Sequence, residues 1–175
     1  MRFGYYDRLS RAKQEIYRKS DAIQTLGLPR GLELGATVSA IEGALRADDR
    51  AVVQRECARL IDALVTGYRV PAVVVHVLAK RPADGYGELH GLYEPGEKGV
   101  PSRITVWMRT AQRRQVVAFR TFLRTLIHEL CHHLDYELYS LEETFHTEGF
   151  YKRESSLVNA LLAQPRDVSA APAVG

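Results

Sequence analysis

The chain has 175 residues, of which 46% are hydrophobic and 26% are charged, and its formal net charge is +3. A chain of this length can bury a full hydrophobic core in one domain. The small net charge argues against a protein whose whole surface binds nucleic acid. No apolar run is long enough for a membrane span, the first residues lack the apolar run of a signal peptide, and two cysteines give no disulfide framework, so we predict a soluble, cytoplasmic protein.

The first third of the chain predicts helices. Residues 6–24 carry apolar side chains at the spacing of an amphipathic helix. Three glycines and one proline interrupt the pattern over 26–38, which we interpret as a linker. Ser39 or Asp48 would cap further helices that run to about Gly67.

Three strands are predicted next. Residues 71–78 form a β-branched run, which is typical of a buried strand. A second strand over 87–94 would end at Pro95, and residues 102–110 alternate between apolar and polar side chains. Short strands in this order favour a small, mostly antiparallel sheet.

A helix over 115–139 carries the most informative motif, because residues 128–132 read His-Glu-Leu-Cys-His. On a helix, His128 and His132 lie about 40° apart in projection, so two imidazoles on one side can hold one Zn²⁺ ion. Glu129 lies about 100° round, where its carboxylate can take a proton from a metal-bound water. The apolar residues of this segment project to the opposite side, which predicts one buried face and one face toward a cleft.

A catalytic zinc site needs a third protein ligand and an open fourth position. His146 is the first choice, since it follows a short polar stretch and precedes a predicted helix over 148–163. Glu154 inside that helix is the main alternative, and Glu143 and Glu148 are further ones. Asp135 is two helical turns from His128, about 10 Å along the axis, so we interpret it as a salt-bridge residue or as a partner of a ligand.

Hydrolysis of a peptide bond also needs a donor that stabilises the oxyanion. Three tyrosines lie within chain reach of the motif. We name Tyr151 and Tyr139 as possible donors, and Tyr136 stays open as a third because the sequence does not decide among them.

A family resemblance rests on these residues. The run from His128 to Asp135, the spacer of 13 residues after His132, and the stretch His146-Thr-Glu-Gly-Phe-Tyr151 resemble small cytoplasmic zincins of the SprT-like kind. The order of a helix and three strands ahead of the motif helix is similar to that of the minigluzincins. The resemblance covers residues 70–162 and lacks the cysteine-rich zinc ribbon that some SprT-like proteins carry.

The resemblance implies a zinc metallopeptidase with a polypeptide substrate. It implies one zinc ion held by His128, His132 and His146, with Glu129 as general base. The minigluzincin pattern instead implies a glutamate as third ligand, which keeps Glu154 open. In zincins an edge strand beside the motif helix commonly binds extended substrate through its backbone, and the strand over 102–110 is our candidate.

The predicted fold class is therefore α+β and zincin-like: N-terminal helices, a three-stranded sheet, the motif helix and a C-terminal helix. We predict a single domain over 1–163, with an N-terminal helical part over 1–67 and a catalytic part over 70–163. Residues 164–175 are small, polar and contain proline, and we predict a flexible tail there.

Charge is unevenly distributed around the motif. Seven lysines or arginines and no acid occur over 98–127, and the stretch between Arg103 and Arg124 could make a weak nucleic-acid contact. The alternative is a solvated face that balances the acidic segment after it. Two further functions therefore stay open beside the peptidase: a DNA-associated SprT-like protease or regulator, and a protein in which zinc is bound without catalysis.

Overall fold

In the part of the chain that the structure describes there are five α-helices, a three-stranded mixed sheet and a two-stranded sheet, which confirms the predicted α+β class. The computed structural model describes residues 3–84 and 87–166. The helices are α1 (Arg11–Ala22), α2 (Gly35–Arg46), α3 (Arg50–Tyr68), α4 (Phe119–Glu137) and α5 (Glu148–Leu162). The strands are β1 (Val73–Lys80), β2 (Ala83–Asp84), β3 (Gly87–Glu88), β4 (Gly91–Glu94) and β5 (Ser102–Arg109).

The predicted N-terminal helix is divided in two. A single 3-10 turn covers Tyr6–Arg8, and α1 begins only after Ser10, whose hydroxyl accepts a hydrogen bond from the Lys13 backbone N–H. Backbone N–H groups in the first turn of a helix have no partner within the helix. The serine hydroxyl accepts from one of them, so Ser10 favours the start of a new helix at this point.

The helices before the sheet form a pair with a tight corner between them. Asp48 has a left-handed backbone (φ 57°), and the neighbouring Asp49, not Asp48, caps α3 by accepting from the Val52 N–H. The linker ends earlier than predicted, because α2 already begins at Gly35.

The sheet has the order β1-β5-β4, with β1 parallel and β4 antiparallel to β5. It is therefore mixed, where the sequence led us to expect mostly antiparallel pairing. Strand β5 is also central and not an edge. Thr105 and Trp107, which alternate with the apolar side chains of β5, are each 7% exposed, so this central strand is covered on both faces. The edge strand next to the motif helix is β4.

The main core lies between the sheet and helices α2 to α5. The apolar face of α4 enters this core, and its fully buried members include Leu123, Leu126, Ile127 and Leu130. Helix α5 packs beside α4, and the hydroxyl of Thr147 caps it by accepting from the Phe150 N–H at 2.9 Å. The histidine-bearing side of α4 is thus turned away from the core.

A second, smaller core joins the N-terminal segment to the chain between α4 and α5. Its buried members are Tyr6, Ile16, Tyr17, Leu141 and Phe145. We call residues 138–147 the ligand loop, because they carry His146. Both buried apolar side chains of this loop belong to the smaller core.

The segment after α5 is partly held in place. The side-chain amide of Gln164 bonds the backbone of Leu32 and of Leu34, and Arg166 pairs with Glu42 at 2.6 Å. Gln164 and Arg166 thus contact the region of α2 at the start of the predicted flexible tail, and the rest of that tail, 167–175, lies outside the described residues, so its flexibility stays a prediction. Among the described helices, none combines the length and the apolar character needed to cross a membrane.

Candidate metal centre

The three predicted histidine ligands lie together at the floor of an open cleft of about 790 Å³. Helix α4 supplies His128 and His132, and the ligand loop supplies His146. Their Nε2 atoms are 3.0 Å (His128 to His146), 3.1 Å (His132 to His146) and 3.2 Å (His128 to His132) apart. Side chains that approach this closely can bind one metal ion between them.

A buried carboxylate fixes the ring of His128. Glu154, which is 3% exposed, places one oxygen 2.8 Å from His128 Nδ1 and the other 2.6 Å from the Arg124 guanidinium. An ionised carboxylate only accepts hydrogen bonds, so His128 carries its proton on Nδ1. Glu154, the alternative third ligand, thus lies behind His128 and outside the group of three histidines.

A second chain of hydrogen bonds fixes the ring of His132. The Thr144 hydroxyl donates its proton to Asp135 Oδ2 at 2.8 Å, so it can only accept from His132 Nδ1, which is 2.7 Å away. The other oxygen of Asp135 pairs with the buried guanidinium of Arg153 at 2.7 Å. Asp135 is therefore both a salt-bridge residue and an indirect partner of a ligand, as the sequence suggested.

These two chains determine which nitrogen atoms are free. Because His128 and His132 both donate from Nδ1, their Nε2 atoms carry free lone pairs, and these two atoms are 3.2 Å apart. Together with Nε2 of His146 they are close enough to bind one metal ion. Burial first, and the neighbouring histidines second, lower the pKa of His132 to about 3, and burial also lowers the pKa of His146. Neutral imidazoles of this kind are metal ligands.

Glu129, the predicted general base, lies in the wall of the same cleft and is 6% exposed. Burial raises the pKa of its carboxyl group to about 7, although His128 and the Tyr93 backbone N–H act in the opposite direction. The N–H of Tyr93 belongs to edge strand β4. The sheet edge thus contacts the Glu129 carboxylate, which lines the same cleft as the three histidines.

Two residues of β4 were missed by sequence reasoning. A Cβ atom built on Gly91 would clash with Glu129 Oε1 and would lie 2.8 Å from a methyl of Thr125, so a larger residue there would have to displace the Glu129 carboxylate. The ring of Tyr93 stacks on His132 at 6.4 Å, and its hydroxyl lies 3.1 Å from Nδ1 of His133. The one available signal was a glycine inside a strand pattern.

The predicted oxyanion donors differ in position. Tyr151 lines the cleft, is 40% exposed, and stacks on His146 with ring centroids 5.8 Å apart. Tyr136 also lines the cleft, where it stacks on Tyr93. Tyr139 packs against the core, with the Arg153 guanidinium over its ring, and is not part of the cleft lining. Its position therefore favours Tyr151 and Tyr136 over Tyr139.

The other two glutamates considered as metal ligands, and the histidine next to the motif, make contacts outside the group of three histidines. Glu143 pairs with Lys13 at 3.0 Å and Glu148 with Lys152 at 2.9 Å, so both carboxylates are engaged away from the histidines. His133 is fully buried and lies 2.8 Å from the Pro71 carbonyl. It is not part of the group of three histidines.

The positive charges of the stretch between Arg103 and Arg124 are partly neutralised by ion pairs. Three of its arginines pair with acids of other elements: Arg103 with Glu94, Arg109 with Asp48 and Arg124 with Glu154. Arg113, Arg114 and Arg120 are exposed. A nucleic-acid contact through this block stays a prediction.

Comparison with protein-family models, with curated proteins and with solved structures gave no match. The resemblance to SprT-like zincins and minigluzincins therefore rests on the sequence alone and stays a prediction.

Proposed function

We propose that the protein is a zinc-dependent peptidase that hydrolyses peptide bonds in extended polypeptides. The observation that carries this proposal is the position of Glu129, a buried carboxylate in the wall of the cleft where three histidine Nε2 atoms converge. A site that only held helices together would have no use for a basic group directed into an open cleft.

The spacing of the nitrogen atoms suits zinc. Zinc binds imidazole nitrogen at about 2.0–2.1 Å, so two nitrogens of a tetrahedral site are about 3.3–3.4 Å apart. The observed separations of 3.0 to 3.2 Å are close to this value. Three histidines also leave the fourth position for water or substrate, which is the composition of a catalytic site.

A zinc ion bound by the three histidines would polarise a substrate carbonyl and make a water molecule more acidic. Glu129 accepts the proton of the attacking water and returns it to the leaving amine, so one carboxylate serves as base and then as acid. Tyr151, or Tyr136 across the cleft, donates a hydrogen bond to the oxyanion that forms at the carbonyl.

Strand β4 supplies the surface for an extended substrate. It is the edge of the sheet next to α4, and Gly91, Leu92 and Tyr93 line the cleft. A peptide that adds to this edge binds through backbone groups, so varied sequences can be accepted. This role was assigned to β5 from the sequence, but β5 is paired on both sides.

Replacing Glu129 by glutamine tests the proposal. We expect Glu129→Gln to keep zinc, measured by metal analysis, because the three histidines are untouched. Its turnover of an unfolded protein such as casein should fall by about 10²- to 10⁴-fold, the range of general acid–base catalysis. Cleavage by the variant at the rate of the native protein would disprove the role of Glu129, and zinc binding without cleavage by either protein would favour a non-catalytic zinc site.

A further inference from the structure

The ligand loop depends on the N-terminal segment for its packing. Leu141 and Phe145, the buried apolar side chains of the loop, contact Tyr6, Ile16 and Tyr17 in the smaller core. The rings of Tyr17 and Phe145 are 6.0 Å apart. The loop that supplies His146 is thus shaped by residues more than a hundred positions away in the chain.

Polar contacts follow the same route. The Tyr5 hydroxyl donates to the backbone carbonyl of His146 itself, at 3.1 Å. Asp21, at the end of α1, accepts from the Gly149 N–H at 2.9 Å, in the first turn of α5. Lys13 pairs with Glu143 of the loop at 3.0 Å. The N-terminal segment therefore contacts the chain on both sides of the third ligand.

A buried arginine carries the connection to a second ligand. Arg153 is 1% exposed and donates to the carbonyls of Ser20 at 2.6 Å and Ile23 at 2.7 Å, at the C-terminal end of α1. It also donates to the Ser20 hydroxyl at 3.1 Å. A further hydrogen bond, to Asp135, leads through Thr144 to Nδ1 of His132, and every step of that path is 2.7 or 2.8 Å long. The end of α1 and the metal ligand are joined by one continuous chain of short hydrogen bonds.

We propose that docking of α1 and metal binding at the three histidines are one coupled equilibrium, in which Tyr5 and Ser20 act as positioning residues although neither touches the ion. A free energy of coupling between two sites is reciprocal, so the metal must stabilise the docked helix by the same factor by which the docked helix raises metal affinity. This inference rests on metal binding by the histidines and does not depend on peptide hydrolysis.

Hydrogen exchange in the full chain tests the first half of the coupling. Amide exchange over residues 11–22 is compared between protein stripped by a chelator and protein loaded with zinc. We expect zinc to slow exchange in α1 and in the ligand loop, while α2, which makes no contact with the ligands, changes little. If α1 exchanges at the same rate with and without zinc while α4 is protected, the coupling does not exist.

Matched pairs of variants test the reciprocal half. Tyr5→Phe removes the hydroxyl on the His146 carbonyl, and its control Tyr68→Phe removes a hydroxyl that donates to the Gly27 carbonyl and does not line the cleft. Ser20→Ala keeps the Ser20 carbonyl but removes the hydroxyl, which accepts from Arg153 at 3.1 Å and lies 3.4 Å from the Thr147 hydroxyl at the end of the ligand loop. Its control Ser156→Ala removes a bond to the Leu26 carbonyl. All four changes are small, so the variants should fold.

Zinc affinity is measured by competition with a chelator, and the absorption spectrum of the cobalt(II)-loaded protein reports the geometry around the ion. We expect zinc affinity to fall by about 2- to 10-fold for Tyr5→Phe and for Ser20→Ala, with a changed cobalt spectrum. The two controls should match the native protein in both measurements. Equal zinc affinities across all four variants would overturn the proposal, whether or not the protein proves to be a peptidase.

Discussion

The three histidines of the candidate metal centre come from two regions of different construction. Helix α4 supplies His128 and His132 from a regular helix whose opposite face is buried in the main core, so their relative position follows from helical geometry. The ligand loop supplies His146 from an irregular segment held by the N-terminal residues. The positions of two of the histidines are therefore determined by local helical geometry, and the position of the third by contacts between distant parts of the chain.

The largest expected effect is at the ion pair that connects these regions. Arg153→Met would leave Asp135 as a buried charge without its partner, which should destabilise the protein by about 3–5 kcal/mol. Urea denaturation measures this change. The exposed Arg120 of α4 is the control, and Arg120→Met should change stability by less than about 0.5 kcal/mol. Similar losses for both variants would mean that the connection contributes nothing specific.

The next largest effect should distinguish Tyr151, which lines the cleft, from Tyr139, which does not. Tyr151→Phe, in the cleft, should lower the turnover number by about 10²- to 10³-fold if its hydroxyl stabilises the oxyanion. Tyr139→Phe, packed against the core, should leave turnover nearly unchanged. Steady-state hydrolysis of a fluorogenic peptide measures both. An unchanged rate for Tyr151→Phe would transfer the role to Tyr136.

Removing a histidine from α4 and removing the histidine of the ligand loop should weaken zinc binding to a similar extent. His132→Ala and His146→Ala each delete a bond to the ion, and we expect a loss of zinc affinity of more than about 100-fold, beyond the cost of losing a partner of a ligand. Glu154→Gln, which alters only the partner of His128, should lose about 10- to 100-fold. Chelator competition gives the three values. Zinc retained in His146→Ala but lost in Glu154→Gln would make glutamate the third ligand.

The smallest expected effect concerns how the sheet supports the α4 region. In Gly91→Ala the new methyl group would displace the Glu129 carboxylate, so turnover should fall by up to about 100-fold while zinc stays bound. Gly43→Ala is the matched control, since a Cβ there meets no atom within 4 Å. Peptide hydrolysis and metal content of both variants decide the point. Full activity in Gly91→Ala would show that the contact is not needed for catalysis.

The same division explains what the sequence could predict. The spacing of His128, Glu129 and His132 and the buried face of α4 are periodic and local, and the structure agrees with them. The sequence also placed His146 in the centre, because few histidines follow the motif. Gly91 and Tyr93 were missed, since their contacts with α4 arise only when β4 pairs with β5 and lies against the helix. The central position of β5 was missed for the same reason: strand order depends on pairing and not on alternation.

The long separation of the contacts around the ligand loop bears on how the protein folds during synthesis. Tyr5 and His146 are 141 residues apart in the chain, and Ser20 and Arg153 are 133 apart. At a synthesis rate of about 5–20 residues per second, α1 waits roughly 7 to 30 seconds for its partners to be made. The apolar side chains of Tyr6, Ile16 and Tyr17 remain in water during this time, and contacts between such distant residues form slowly even afterwards. Completion of the metal centre should therefore be among the last events of folding.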